Sequence, residues 1–347
     1  MMNIPDKMKA IYLTKPQTFE MREIDTPKIT EAHQVLVKTK AVGVCGSDLH
    51  AWNGAHKDVV MPAILGHEIV GEVVACGGAV TNVKVGDHVV REPIDYCGTC
   101  YACTHGRPNV CPDLKVWGFA HDGGHRQYFL SECEKLYRFP ETVDWTVAAM
   151  LEPYTIAAEV NDRANIQAGD TVMIYGLGPA GISIGDWAKY HGATVFASDV
   201  IPKRLEMARA FGFDQVLDAS RVDVNKEIMR LTFGKGVNVL IDAAGFPGAL
   251  DNALNLITPL GRIVPVAINF NSVSFPMIWF DLKEASIVGS RLEAGKFPVV
   301  ICELKNHEQH IRQMVTNVFP YTQLGEAFEL AASRDPDVCK IVVNYDL

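Results

Sequence analysis

Between Thr171 and Asp199 the chain reads TVMIYGLGPAGISIGDWAKYHGATVFASD, and this stretch constrains the fold more than any other. Thr171 to Tyr175 is a short apolar run of strand formers, and Gly176, Gly178 and Gly181 follow at G-x-G-x-x-G spacing. Ile182 to Tyr190 then carries the pattern of a helix. Gly176 permits a tight turn, Gly178 lets backbone N–H groups approach an anion, and Gly181 lets the helix pack close on the strand, with Pro179 and Ala180 of the same turn as further candidate cofactor contacts. The helix N-terminus then faces the anion, so the stretch reads as a pyrophosphate-binding turn. A second strand, Thr194 to Ser198, ends at Asp199, 23 residues after Gly176, where a carboxylate accepts hydrogen bonds from a ribose 2′-hydroxyl and repels a 2′-phosphate. NAD is therefore expected over NADP.

The segments that follow alternate between the two periodicities. Helices are expected at Lys203 to Phe211, Asn225 to Phe233 and Ala249 to Ile257, and strands at Gln215 to Leu217, Asn238 to Asp242, Arg262 to Val266 and Ser286 to Ser290. That alternation specifies a doubly wound parallel sheet whose ligand lies at the strand ends. The first 90 residues differ. Short extended runs at Lys9 to Leu13, Phe19 to Glu23, Val35 to Lys40, Ile69 to Cys76 and His88 to Val90, punctuated by Gly and Pro, predict a β-rich, barrel-like domain.

Within that domain stand AVGVCGSDLHAWNG and ILGHE. Cys45 offers a thiolate and His67 an imidazole nitrogen, a pair suited to zinc unless both are structural, and Glu68 beside His67 supplies a carboxylate. Their separation is too long for a local finger and fits a catalytic site assembled from distant loops. Next comes CGTCYACTHGRPNVC, where Cys97, Cys100, Cys103 and Cys111 form C-x2-C-x2-C-x7-C. Four thiolates on one short loop close a tetrahedral sphere around structural zinc, with an iron–sulfur cluster as the competing occupant. Glu152, beside Pro153, either faces a metal or caps a helix.

Composition excludes other classes. With 48% hydrophobic and 21% charged residues the chain has the make-up of a folded globular protein, and a net charge of −9 without a basic stripe argues against nucleic acid as partner. No apolar run reaches membrane-spanning length and the N-terminal MMNIPDKMK lacks a signal core, so no membrane association and a cytoplasmic location are expected. Nine cysteines, four of them crowded between Cys97 and Cys111, point to metal rather than disulfides.

GxCGSDxH, GHE, the four-cysteine lobe, Glu-Pro and GLGPAG occur here in the order found in zinc-dependent medium-chain dehydrogenases, and the chain resembles that family over essentially its whole length. The resemblance implies an α/β protein. A GroES-like β-rich catalytic domain would span residues 1–155 and 293–347, with a structural zinc lobe at 95–113, and a Rossmann doubly wound parallel-sheet domain would span 156–292. It further implies two zinc ions per subunit, NAD, and homodimers or homotetramers formed through the nucleotide domains. Cys45, His67 and Glu152 match the catalytic-zinc positions, with Glu68 a ligand or an exchanging neighbour, and Asp48 matches the residue that orients the zinc-bound histidine. Alcohol dehydrogenases with a Cys2His set carry a second cysteine where this chain has Glu152, a departure that resembles the polyol-oxidising sorbitol dehydrogenase branch.

Ser47 and His50 match the proton-relay positions, Ser47 accepting the alcohol proton and passing it through the cofactor ribose towards His50. The metal and the nicotinamide would meet across a shared cleft. CGSDLHAWNG, HDGGHRQYF, LEPYTIAA and GSRLEAGKFPVVI are similar to starvation-sensing RspB-type proteins and to sugar-acid dehydrogenases that include L-gulonate and L-galactonate 5-dehydrogenases. That likeness implies oxidation of a hexonate at C5; a neutral polyol or threonine, or a non-enzymatic regulator, are the alternatives. Arg291 is the candidate anchor for a substrate carboxylate or else part of a salt bridge. Trp52, Trp117 and Phe119 either shape the pocket or belong to the core, and Arg204 either contacts the adenosine ribose or lies on a solvated helix face.

Overall fold

The computed structural model describes residues 4–269 and 272–346, so Met1 to Asn3 of the N-terminal stretch and Leu347 lie outside the described residues. The chain divides into two compact units, Met1–Glu152 with Phe297–Leu347, and Pro153–Lys296.

The first unit is built on a sheet of seven strands among the described residues. Six run in the order Val315–Pro320, Lys340–Asn344, Gln34–Val44, Glu68–Cys76, His88–Arg91, Leu136–Arg138, and Tyr128–Glu132 pairs with Gln34–Val44. Pairing is antiparallel except between the two C-terminal strands. The hairpin Lys7–Lys15 with Thr18–Asp25 stands apart from this sheet. All five extended runs expected in the first 90 residues lie inside strands. Alternation brings Val35, Val37, Val42, Ile69, Val73, Phe129, Ile341 and Val343 into one core. Burying each such aliphatic side chain contributes about 1.5–3 kcal/mol, and it fixes the register in which Gly43 faces Glu68. A β-carbon at Gly43 would overlap the Glu68 carboxylate, so glycine there makes room for a charged group inside the sheet. The C-terminal strand completes this unit by pairing with Gln34–Val44, which carries Lys340 in beside Glu68.

The second unit is a six-stranded parallel sheet in the order Gln215–Asp218, Thr194–Asp199, Thr171–Tyr175, Val237–Asp242, Ile257–Pro265, Ser286–Ile287. Chain order reverses between Thr171–Tyr175 and Val237–Asp242, which sets the topological switch point at the glycine turn. Helices Pro179–Tyr190, Pro202–Ala210 and Val224–Leu231 lie where the 3.6-residue pattern predicts them. Two expectations are shortened. The helix expected from Ala249 to Ile257 is only Ala253–Leu256, because Pro247 and Gly248, the latter at φ +81°, hold a turn ahead of it and Ile257 already begins a strand. The last strand is Ser286–Ile287 rather than Ser286 to Ser290.

Candidate active site

Cys45 caps the helix Gly46–Trp52, and the Asp48 carboxylate reaches back one turn to accept the Cys45 N–H at 2.9 Å. The same carboxylate lies 3.3 Å from His67 Nδ1. Asp48 thus fixes the backbone of one candidate ligand and the ring of another, so that Nε2 is the His67 nitrogen that would face a metal. Burial works against charge on His67, but Asp48 outweighs it and holds the imidazole well above its ordinary basicity. Gly66, at φ +95°, delivers His67 into this position, and any side chain there would meet Val42 at 2.7 Å.

Ligand atoms of Cys45, His67 and Glu68 all lie within 4.8 Å of one another. A thiolate, an imidazole and a carboxylate brought this close together are the donor types that zinc takes, so the set fits zinc. Glu152 stands in the first turn of the helix Leu151–Arg163, one residue inside its start rather than just ahead of it, and is 4% exposed. Burial, reinforced by the nearby Glu68, pushes its carboxyl up to about 7 against the pull of His67 and Lys340. A carboxylate kept out of water beside His67 and Glu68 is a natural partner for a divalent cation. Lys340, not foreseen from the sequence, is 3% exposed and its Nζ lies 2.5 Å from the Glu68 carboxylate. Desolvation opposes its charge, yet Glu68 prevails and raises its basicity. The only sequence signal for Lys340 was a lone cation opening an apolar strand.

Ser47 and His50 sit three residues apart on the helix Gly46–Trp52, hence on one face, with Ser47 half-buried and His50 exposed. Phe119 packs 5.2 Å from the His67 ring, centroid to centroid, and lies next to the metal-binding group. The two tryptophans are engaged elsewhere. Trp52 packs against Phe328, and Trp117 stacks under the Arg91 guanidinium at 3.3 Å while its Nε1–H donates to Asp95.

In the lobe, Sγ atoms of Cys97 and Cys111 lie 3.5 Å apart, Cys100 and Cys103 3.5 Å, Cys100 and Cys111 3.8 Å, and Cys97 and Cys103 4.0 Å. A tetrahedron with zinc–sulfur bonds of about 2.3 Å has edges of about 3.8 Å. The four thiols therefore stand where one tetrahedral ion would hold them. Backbone N–H donors at Thr99 and Cys100 pull the Cys97 thiol down to about 6, favouring the thiolate a metal needs.

At the glycine turn, Gly176 adopts φ +89° with its Cα hydrogen side against Ala244, and a β-carbon on Gly181 would run into the Gly176 carbonyl. A β-carbon on Gly178 would meet no protein atom within 4 Å, which leaves open the space ahead of the helix N-terminus at Pro179 and Ala180 where a pyrophosphate fits. Asp199 is held by three backbone hydrogen bonds. Its Oδ2 accepts Leu177 N–H at 2.7 Å, and its Oδ1 accepts Val200 and Ile201 N–H at 2.7 and 2.9 Å, tying the strand end to the turn. Arg204 Nη1 lies 3.6 Å from the same carboxylate. Arg291 is exposed in the second unit, after the strand Ser286–Ile287.

Residues 31–141 match the alcohol dehydrogenase GroES-like domain and residues 179–306 the zinc-binding dehydrogenase domain. The chain belongs to the zinc-type medium-chain dehydrogenase family. It is 35% identical to the starvation-sensing protein RspB of Escherichia coli K12, over 97% of this chain and 99% of RspB. It is 32% identical to the sorbitol dehydrogenase of Bacillus subtilis, over 98% of each chain, and 32% identical to the L-galactonate-5-dehydrogenase of E. coli K12, over 95% and 96%. RspB of E. coli CFT073, solved as a complex with the cofactor NADH, superposes with a TM-score of 0.91 at 34% identity, covering 98% of this chain and all of that one. Zinc and a nicotinamide dinucleotide are thus the cofactors of this fold, catalytic and structural metal respectively answering to the mixed cluster and the cysteine lobe. No helix among the described residues is long and apolar enough to cross a membrane.

Proposed function

We propose that the protein oxidises a secondary alcohol of a sugar acid, an L-gulonate-like hexonate at C5, with NAD as hydride acceptor. The observation that carries the reading is the meeting of half-buried Cys45 with buried His67 and Glu68, with Asp48 behind the imidazole and Glu152 alongside. Bound zinc supplies a Lewis acid that makes a substrate hydroxyl easier to deprotonate, and NAD supplies the hydride acceptor. The chain's own residues do the rest. Cys45, His67 and Glu152 hold the ion, and Glu68, drawn towards Lys340, stands as the exchanging carboxylate. Ser47 accepts the alcohol proton, and His50, exposed on the same helix face, delivers it to solvent. Asp199 selects NAD by repelling a 2′-phosphate, and Arg204 beside it reaches the adenosine ribose. Arg291 is the anchor for the substrate carboxylate, since guanidinium binds carboxylate in two-pronged fashion.

Support for an acid comes from the L-galactonate-5-dehydrogenase likeness, and the sorbitol dehydrogenase likeness supports a neutral polyol as the second reading. Zinc-loaded protein incubated with NAD and a panel of hexonates and hexitols is expected to turn over a hexonate with the highest kcat/KM. Turnover of hexitols alone would overturn the acid assignment, and inactivity towards every alcohol with both cofactors bound would favour a regulator. We place the enzyme in the cytoplasm, where its nine cysteines, none of them in a disulfide among the described residues, stay reduced. The proposed assembly is a homodimer or homotetramer through the nucleotide units, where the edge strand Ser286–Ile287 and Met277, Ile278 and Leu282 are exposed. Light scattering on the purified protein checks it.

A further inference from the structure

His56 lies in the loop that follows the helix Gly46–Trp52, and nothing in its sequence context, NGAHKD, marks it out. The structure holds its ring on two sides. One face stacks on Phe119 with centroids 4.2 Å apart, and Phe119 in turn packs against His67. Nδ1 accepts the Asp58 N–H at 3.3 Å, so the ring proton sits on Nε2. The loop itself is tied to the helix that bears Ser47 and His50, because Ala55 N–H donates to the His50 carbonyl at 2.9 Å and Gly54 N–H to that of Ala51 at 2.9 Å. The ring is half-buried, and burial keeps it less basic than an ordinary histidine although Asp58 and Asp48 pull the other way. His50 and His67 are close enough to act on it as well. A neutral imidazole with one nitrogen occupied is a single-pointed N–H donor, and here it is clamped beside the metal-binding residues.

Resting on the proposed dehydrogenase activity, we infer that His56 is a specificity-determining residue: its Nε2–H donates to an oxygen of the substrate, hydroxyl or carboxylate, that flanks the carbon being oxidised. Phe119 and the Asp58 N–H set the ring's plane and tautomer, so the donor is in place before substrate arrives. A hydrogen-bonding site of this kind rejects analogues that lack the oxygen, whereas a purely apolar wall would not.

The test uses zinc- and NAD-loaded enzyme and three substrates: a hexonate such as L-gulonate, a hexitol such as sorbitol, and 2-propanol, which has no flanking oxygen. His56→Phe keeps the stack on Phe119 and removes the donor; His56→Gln restores a side-chain N–H. In His56→Phe, KM for the better of the two oxygen-rich substrates should rise about tenfold or more with kcat within about twofold. kcat/KM for 2-propanol and zinc content should stay at the wild-type values, and His56→Gln should recover most of the KM. A loss confined to the hexonate identifies a carboxylate as the recognised oxygen, and a loss for both substrates identifies a hydroxyl. Equal losses on all three substrates, or a wild-type preference that survives in His56→Phe, overturn the inference and leave the dehydrogenase reading standing. A wild-type enzyme that prefers 2-propanol to every oxygen-rich substrate overturns the substrate reading itself, and the inference with it.

Discussion

At the scale of single residues, Asp48 illustrates how one side chain carries two duties. It accepts the Cys45 N–H and faces His67 Nδ1, so replacing it loosens both metal-binding residues at once. Asp48→Asn is expected to weaken zinc binding about 10–100-fold, measured by competition with a chromogenic chelator; affinity equal to wild type would show that the pairing with His67 has no hold on the metal. Asp199 has a structural duty and, on the proposed function, a second one in cofactor choice. Asp199→Ser is expected to shift the NADP to NAD ratio of kcat/KM upwards, because the charge that repels a 2′-phosphate is gone. The same change releases Leu177, Val200 and Ile201 N–H and should lower stability by about 1–3 kcal/mol, read as a drop in Tm without ligand. A variant that keeps both its NAD preference and its Tm would contradict this account. Cys45, His67 and the glycines were legible in the sequence because their residue types are unusual at those spacings. Lys340 and His56 were not, since each acquires meaning only from a partner far away in sequence: Glu68 for the one, Phe119 for the other.

At the scale of elements, the cysteine lobe is the segment most dependent on something other than packing. From Cys97 to Asp113 only Asn109 and Cys111 are buried, so the lobe lacks an apolar core of its own. Four thiols spaced for one tetrahedral ion stand in for that core. Chelation is therefore expected to open the lobe to protease between Cys97 and Cys111 while the sheet Gln34–Val44 with Glu68–Cys76 stays protected, as read by mass mapping of early fragments. Early cleavage spread evenly along the chain would show that the lobe draws its order from elsewhere. Strands were the most legible elements, because short apolar, β-prone runs punctuated by Gly and Pro mark them directly, as at Val35 to Lys40 and Ile69 to Cys76, which the fold buries on both faces over much of their length. The expected helix at Ala249 to Ile257 misled because its apolar spacing is helical, while the Pro247 and Gly248 turn and the β-branched Ile257 claim both ends.

At the scale of the whole molecule, the order of motifs along the chain carried the architecture. A β-rich unit and a parallel sheet with a glycine turn were readable from periodicity and the glycine spacing, the candidate metal positions from the Cys and His motifs, and the return of the chain's last segment to the first unit from the family resemblance. Substrate choice was not readable, because its proposed determinant, His56, has neighbours that are assembled only by folding. The account stands or falls on the metal in the first unit. Metal is removed by dialysis against a chelator, its absence verified by elemental analysis, and NAD-dependent oxidation of the preferred sugar acid or polyol followed before and after zinc is returned. Loss of a Lewis acid worth several kcal/mol predicts a rate at least about 100-fold lower, recovered on adding zinc. Metal-free protein that oxidises the same substrate as fast as untreated protein would contradict it.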